Sequence, residues 1–473
     1  MVRDLREYLT NLENNCPEEV LRIEKEVDPN AFEVTTLLTH LEKKGKYPLT
    51  YFSNCKNLFG KVSDFPMVTN MYASRKRCAV ALGLAPEQDK LPLSLEYARR
   101  ETEQINPEII SREQAPVKQV VKIGDDADLR QFPVVRHHYM DGGPYIDMSS
   151  AMQDPDTGTY NTAFLRTMYK GPRKLGLYMS PRHNWQIVRK NEEVGKPTPI
   201  AIVVSHHPGY YLGVLNVCPF GVDDYGVIGS IMDAPLRLVA SETWGDSFMV
   251  PADAEILIEG EVLPNVREIE GPFGEFPGYF GPQRMRWVVE VKAITHRQNA
   301  IYQDVFIGHR DVWQLGSLGK EGSIYNRIKG VVPTVKAVHL PNSGAGRYNC
   351  YVSIDKKVNG ESKQAALIAI GACDFVKHVT VVDSDVDPFN EEEVQWAVAT
   401  RVQADQDIDI IKNVKHNTLD PSMTDEIMGT KMIIDATKPL GRPFAERVSV
   451  PDEALDRVKL EDFVSPEELT RIV

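Results

Sequence analysis

Two carboxylates stand five residues apart in Glu270-Gly271-Pro272-Phe273-Gly274-Glu275. The glycines between them let backbone approach a ligand closely. In one low-dielectric pocket the two acids would push their pKa values apart. One would then serve as an acid and one as an ion. A tight turn with two solvated glutamates has the same spacing, so both readings stand. Upstream, Tyr160-Asn161-Thr162-Ala163-Phe164-Leu165-Arg166 follows the turn Asp154-Pro155-Asp156-Thr157-Gly158 and leads on to Arg182-His183-Asn184-Trp185. By itself it reads more readily as an edge strand with solvated polar residues than as a site. Pro219-Phe220-Gly221-Val222-Asp223-Asp224-Tyr225 offers either two hard-cation ligands or a helix N-cap and its first turn.

A fourth segment is Ile307-Gly308-His309-Arg310-Asp311-Val312-Trp313-Gln314-Leu315. It is either an interdomain loop or a pocket wall. As a wall, Trp313 and Leu315 would sandwich a flat ring. His309 or Arg310 would bond a polar ring substituent or a second carboxylate. That arrangement favours a heteroaromatic or hydroxylated acid, a furan diacid among the candidates.

Other chemistries lack their residues. No His-x-x-x-His or His-Glu-x-x-His pattern occurs among the 11 histidines, so a zinc hydrolase site is not indicated. There is no dinucleotide fingerprint and no Walker loop. The 6 cysteines, Cys16, Cys55, Cys78, Cys218, Cys350 and Cys373, are scattered singly, as packing residues of a reducing cytosol would be. The chain has a net charge of −13 and no long basic stripe, which argues against nucleic acid. Its longest apolar runs, such as Ile200–Val204, are too short for a bilayer. The opening Met-Val-Arg-Asp-Leu-Arg-Glu has no signal-peptide apolar region. A cytoplasmic location is expected.

At 473 residues, two to four domains are expected, and 42% hydrophobic with 26% charged residues is a globular profile. Two helices open the chain: Leu5, Tyr8, Leu9 and Leu12 share a face, as do Phe32, Leu37, Leu38 and Leu41, with Gly45 as a stop. Strands are expected at Val120–Ile123, Ala254–Val262, Trp287–Ala293 and Ala300–Ile307. Later, His378–Val382 reads as a strand, and Glu391–Val402 as a helix after the Asp387-Pro388 turn.

Together these segments resemble the UbiD family of decarboxylases over nearly the whole chain. The resemblance adds Asp141-Gly142-Gly143-Pro144-Tyr145, Asn299-Ala300-Ile301-Tyr302, Asp383 to Pro388 and Trp396-Ala397 to Arg401. It implies an α+β and α/β multidomain fold. An N-terminal α/β region (1–115) would precede a β-rich split-barrel domain for prenylated FMN (116–311) and a C-terminal α/β dimerisation domain (312–473). Arg166 matches the arginine that holds the substrate carboxylate, Glu270 its partner, and Glu275 the proton donor. Thr162, Ala163, Phe164, Leu165 and Arg182 fall on cofactor-binding positions, and Lys363 on a second phosphate contact. Asn161 and His183 match two ligands of a divalent ion, manganese or magnesium. The third family ligand is usually glutamate; here it falls on Asp224, one methylene shorter, unless Asp223 substitutes. Potassium is a further possible ion.

The implied reaction is reversible non-oxidative decarboxylation of an aromatic or heteroaromatic acid. A flavin prenyltransferase would supply the cofactor, and a homodimer or higher oligomer is expected. The rivals are a two-carboxylate glycosidase and a non-catalytic subunit of a carboxylase complex.

Overall fold

The computed structural model describes residues 3–425 and 427–472. Met1 and Val2 of the opening segment lie outside the described residues.

The centre of the molecule is a closed antiparallel barrel of six strands. Going round it, Ile256–Glu270, Thr198–Ser205, Tyr145–Gln153, Tyr160–Gly171, Lys174–Leu177 and Arg284–His296 pair in turn, and the last returns to the first. Val120–Ile123 adds to the free edge of Arg284–His296. The site depends on the hairpin Tyr145–Gln153/Tyr160–Gly171. Its turn is fastened by Asp154, whose Oδ1 accepts from the Asp156 amide at 2.9 Å. Its register sets Asp147 opposite Arg166 and Met152 opposite Asn161. Side chains alternate across a strand, so Arg166 and Asn161, an odd number of residues apart, leave it on opposite faces.

The helix Leu5–Asn15 buries the expected Leu5, Tyr8, Leu9 and Leu12, and Asp4 caps it. In the second helix, Glu33–Glu42, Phe32 lies just outside as a left-handed N-cap. Gly45 follows with φ +66°, in the conformation glycine tolerates best.

Strands were harder to bound from sequence. Ala254–Val262 becomes Ile256–Glu270, and Trp287–Ala293 becomes Arg284–His296. These two strands pair along most of their length, across irregularities in register. In Ala300–Ile307 only Tyr302–Gln303 is strand, and it pairs with Met67–Thr69 of the N-terminal sheet rather than with the barrel. The rest of that run is apolar because it is buried between the two sheets, not because it forms a ladder. The segment after it is not a loop. His309 caps a 20-residue helix, Arg310–Lys329, that leads into the C-terminal sheet. That sheet runs Val335–His339, Asn349–Ile354, His378–Asp383, Met428–Ala436 and Ile408–Lys415. Among the described residues no helix is long and apolar enough to cross a membrane.

Candidate active site

Glu270 ends one barrel strand, and Arg166 projects from another. Arg166 Nη2 donates to Glu270 Oε2 at 2.7 Å, and its Nη1 bonds Glu275 Oε1. Glu270 is fully buried and takes a second bond from the Tyr145 hydroxyl, 3.0 Å. The guanidinium lies over the rings of Tyr178, 4.2 Å, and Phe273, 4.9 Å, which fix its plane. One arginine is therefore held between two buried carboxylates.

Burial and neighbouring charge both act on Glu275. Burial pushes the Glu275 carboxyl up to about 7; Arg166 pulls it down, and the Glu270 charge pushes it up again. The Arg166 guanidinium is held charged against its burial by the two glutamates. Spacing left a solvated turn open, but neither glutamate is solvated: Glu275 is 8% exposed and Glu270 0%.

The glycines of this turn make room for protein. Gly142 donates to Pro272 O at 2.9 Å, and a Cβ on it would collide with the Gly271 carbonyl. A Cβ on Gly274 would overlap the His138 ring. Asp141 anchors this packing, its carboxylate accepting from the amides of Gly274 and His138, each 2.8 Å. Beyond Glu275, the Trp313 indole donates to Phe276 O at 2.6 Å, tying the turn to the long helix.

A second group forms beside the hairpin. The Asn161 amide oxygen meets His183 Nδ1 at 3.0 Å, and its amide nitrogen donates to Asn184 at 2.7 Å. Burial and the neighbouring Arg182 lower the His183 pKa, which keeps the imidazole in the neutral form a metal binds. Asp224 Oδ2 accepts from the Thr162 amide, 2.6 Å, and hydroxyl, 3.1 Å; Oδ1 accepts from Asn216, 3.2 Å. Asp223 is the N-cap of Asp224–Met232, bonding the Tyr225 amide at 2.9 Å and the Tyr160 amide at 3.0 Å. An amide oxygen, a neutral imidazole and a carboxylate suit a divalent ion in kind. The set relies on the Asn161 oxygen: among the described residues, no three His, Cys, Asp or Glu side chains are grouped to hold one. Arg166 Nε and both Asp147 oxygens are buried without a hydrogen-bond partner, as in a cleft that takes a polar ligand or water.

The other expected residues have partners of their own, and a Cβ on Gly308, next to His309, would come within 3.3 Å of the Glu275 carbonyl oxygen. Lys363, half exposed on the helix Glu361–Ala372, pairs with Asp409 at 2.7 Å and contacts none of Asn161, His183 and Asp224. The His309 ring stacks on Phe306, 4.7 Å between centroids, and approaches Glu42 at 3.7 Å. Arg310 lies over Tyr47, 4.5 Å. Both thus face the N-terminal region, and Leu315 is buried in the core. Sequence reasoning gave no role to Tyr145, Asp147, Tyr178 or Asp141. Asp141 and Tyr145 stood in the resemblance without a role, and the two-residue step from Tyr145 to Asp147, which puts both on the Arg166 face of the hairpin, was there to be read.

A barrel that sets an arginine between two buried glutamates offers an anion-binding fork rather than the carboxylate pair of a glycosidase. In the latter, a sugar would occupy the place Arg166 fills. Comparison with known proteins agrees. Models of the 3-octaprenyl-4-hydroxybenzoate carboxy-lyase match in three parts: the N-terminal domain over 15–91, the Rift-related domain over 108–310 and the C-terminal domain over 314–436. The chain belongs to the UbiD family of carboxy-lyases and is a decarboxylase-class enzyme. It is 32% identical to a phenolic acid decarboxylase of Sedimentibacter hydroxybenzoicus over 93% of this chain and 92% of that protein. Among solved structures it resembles the UbiD-class enzyme HmfF from Pelotomaculum thermopropionicum in complex with FMN, with TM-score 0.88, 38% identity, and 98% and 100% of the two chains covered. An evolved dimeric form of HmfF in complex with prFMN matches with TM-score 0.86, 37% identity, and 98% and 100% coverage.

Proposed function

We propose that this enzyme catalyses the reversible, non-oxidative decarboxylation of an aromatic or heteroaromatic acid with prenylated FMN. The observation that carries the reading is the buried Glu270–Arg166–Glu275 arrangement, in which one carboxylate titrates near neutrality and the other is locked to the arginine. Asn161, His183 and Asp224 would hold a manganese or magnesium ion at the cofactor phosphate, with 162–165 and Arg182 alongside. When bound, the cofactor accepts the electron pair left as the C–CO2 bond breaks.

The chain's own groups do the rest. Arg166 draws the substrate carboxylate toward its fork, and Glu270 and Tyr145 keep that fork oriented. This displaces Glu275 from Nη1. Freed of the guanidinium, Glu275 holds its proton more firmly, since the attraction that opposed burial is gone. CO2 then leaves as a neutral molecule. Glu275 gives its proton to the carbon that bore CO2, and solvent restores it. The steps reverse at high bicarbonate.

The test uses protein co-expressed with a flavin prenyltransferase. Mass spectrometry of the denatured supernatant is expected to show FMN with an added five-carbon unit. Glu275→Gln is expected to keep that flavin and lose both turnover and deuterium exchange into product. The absence of any flavin species removes the mechanism, and near-normal exchange in Glu275→Gln removes its proton donor.

A further inference from the structure

Barrel closure lines up five side chains across neighbouring strands. Asp147 stands opposite Arg166, and Glu268 stands opposite Arg286. Tyr178, one residue beyond the strand Lys174–Leu177, joins the two halves. Its amide donates to the Arg166 carbonyl at 3.2 Å, and the register that sets Trp287 opposite Leu177 brings Arg286 beside it. Cross-strand neighbours share a face of the sheet, so Asp147, Arg166, Tyr178, Arg286 and Glu268 form one row. The Tyr178 ring meets both guanidiniums, Arg166 at 4.2 Å and Arg286 at 4.7 Å. The two cations therefore lie no more than about 9 Å apart.

Arg166 has its carboxylates, and Arg286 has none. Glu268, the acid across the ladder from Arg286, is drawn instead to Lys174 at 2.6 Å and Lys170 at 3.1 Å. Among the described residues Arg286 forms no ion pair, and its Nε is buried without a hydrogen-bond partner. Burial lowers its pKa, and so do the charges of Arg166 and Arg284, while Tyr178 and Glu270 oppose them. A guanidinium nonetheless keeps its proton, so the charge stays. A half-buried cation on a ring that already carries a second cation is a poor choice for packing alone, because the like charges repel and share one ring quadrupole. A neutral side chain of similar length would fill the place without that repulsion.

We propose that Arg286 is a positioning residue for substrate capture: held on the Tyr178 ring, it supplies positive charge that offsets the carboxylate arriving at Arg166. This rests on the decarboxylase reading and adds a residue to it. Within the row, Arg166 is balanced by Glu270 while Glu275 holds its proton. The fork then offers an incoming anion hydrogen bonds with little net attraction of its own. Arg286 adds a unit charge that no acid of the row cancels, at a distance Tyr178 fixes. Its pull is on the carboxylate of the bound acid. As CO2 leaves, that negative charge leaves the carboxylate, so the attraction is stronger before the bond breaks than after. An interaction of that kind lowers KM and does not raise kcat.

The test measures equilibrium binding of benzoate, 2-furoate and cinnamate, each against its uncharged amide, by flavin absorbance on flavin-loaded holoenzyme. In Arg286→Gln the dissociation constant of every acid that wild type binds is expected to rise by roughly five- to tenfold, while that of the amide stays within about twofold and flavin content holds. Arg286→Lys keeps the charge and should recover most of the affinity. Arg286→Met carries the test should Arg286→Gln not fold. Wherever an acid turns over, KM should rise in the neutral variants and kcat should hold. The gap between wild type and Arg286→Gln should narrow at high ionic strength, because Arg286 is only half buried. Unchanged affinity in the neutral variants, an equal loss for acid and amide, a fall in kcat with KM unaltered, no recovery in Arg286→Lys, or failure of wild type to bind any of the acids overturns the proposal. Decarboxylation of an acid by wild type in those cases leaves the decarboxylase reading standing, whereas absence of flavin from wild type removes that reading itself.

Discussion

Glu270→Gln isolates the electrostatic logic of the site. The substitution keeps the shape and an acceptor for Arg166 Nη2 and the Tyr145 hydroxyl, and it removes one buried negative charge. Glu270 and Glu275 occupy the two terminal nitrogens of a single guanidinium, which sets the carboxylates roughly 5–6 Å apart. At an effective dielectric of about 20, two unit charges at that distance repel by ~3 kcal/mol, about two pK units. The sign follows directly. A nearby negative charge favours the neutral form of Glu275, so deleting it favours the ionised form, and Arg166 is then free to pair with Glu275 alone. Burial, the larger cause, is untouched. The Glu275 midpoint is expected to fall from about 7 by one to two units, short of the full Coulomb figure where solvent enters the cleft. Infrared titration of the protonated carboxyl band, assigned as the band lost in Glu275→Gln, reads this without any substrate. In turnover, the loss of kcat/KM above neutral pH should move to lower pH by the same amount. A midpoint that stays put or rises in Glu270→Gln refutes the reasoning.

The remaining substitutions separate ligand-holding from scaffold. Asp224→Ala is expected to lower bound metal and bound flavin together, measured by elemental analysis and absorbance. Asp223→Ala should keep both and lower unfolding stability by about 1 kcal/mol, through loss of the cap on Asp224–Met232. If only Asp223→Ala loses metal, the third ligand is Asp223. Trp313→Phe keeps the ring and removes the donor to Phe276 O, stranding a buried carbonyl. Denaturant unfolding should show a loss of about 1–3 kcal/mol, and an unaltered midpoint would mean the contact does not hold the turn.

The legible parts of the sequence are those decided by short-range pattern. The face Leu5, Tyr8, Leu9, Leu12 was visible because a helix repeats every few residues, and it is the buried face. His378–Asp383 was visible as a short apolar run, and Glu391–Arg401 through the Asp387-Pro388 turn that precedes it. The run 300–307 was not, because burial between two sheets and membership of a ladder produce the same apolar string. At the site, Glu270 and Glu275 stood out through their spacing, yet whether that spacing meant chemistry or a solvated turn was settled by Arg166, a hundred residues earlier, and by barrel closure. Arg310 and His309 show the converse: a dense local cluster of functional side chains whose partners, Tyr47 and Glu42, belong to the N-terminal region.

Charge conservation through the reaction also constrains Asp147. With Glu275 protonated, Arg166 and Glu270 cancel, and the arriving carboxylate adds one negative charge that protonation of the product must finally discharge. An ionised Asp147 opposite Arg166 would add a second, permanent negative charge. The structure argues against it: both Asp147 oxygens are buried without a hydrogen-bond partner, and burial pushes its pKa well up. His137 stands at ion-pair distance from it but makes no hydrogen bond to it. Its Nε2 bonds Asp304 at 2.9 Å while Nδ1 stays 3.7 Å from Asp147, and the imidazolium, raised to about 9, is balanced by Asp304. Asp147 is thus expected to be a neutral acid lining the cleft. Asp147→Asn should therefore leave the Glu275 midpoint in place and remove a protonated carboxyl band distinct from that of Glu275. If Asp147 were instead ionised, its removal would lower the Glu275 midpoint by about one unit, as Glu270→Gln does. That outcome would mean the cleft carries its surplus negative charge before substrate arrives, and that Arg166 is neutralised twice over.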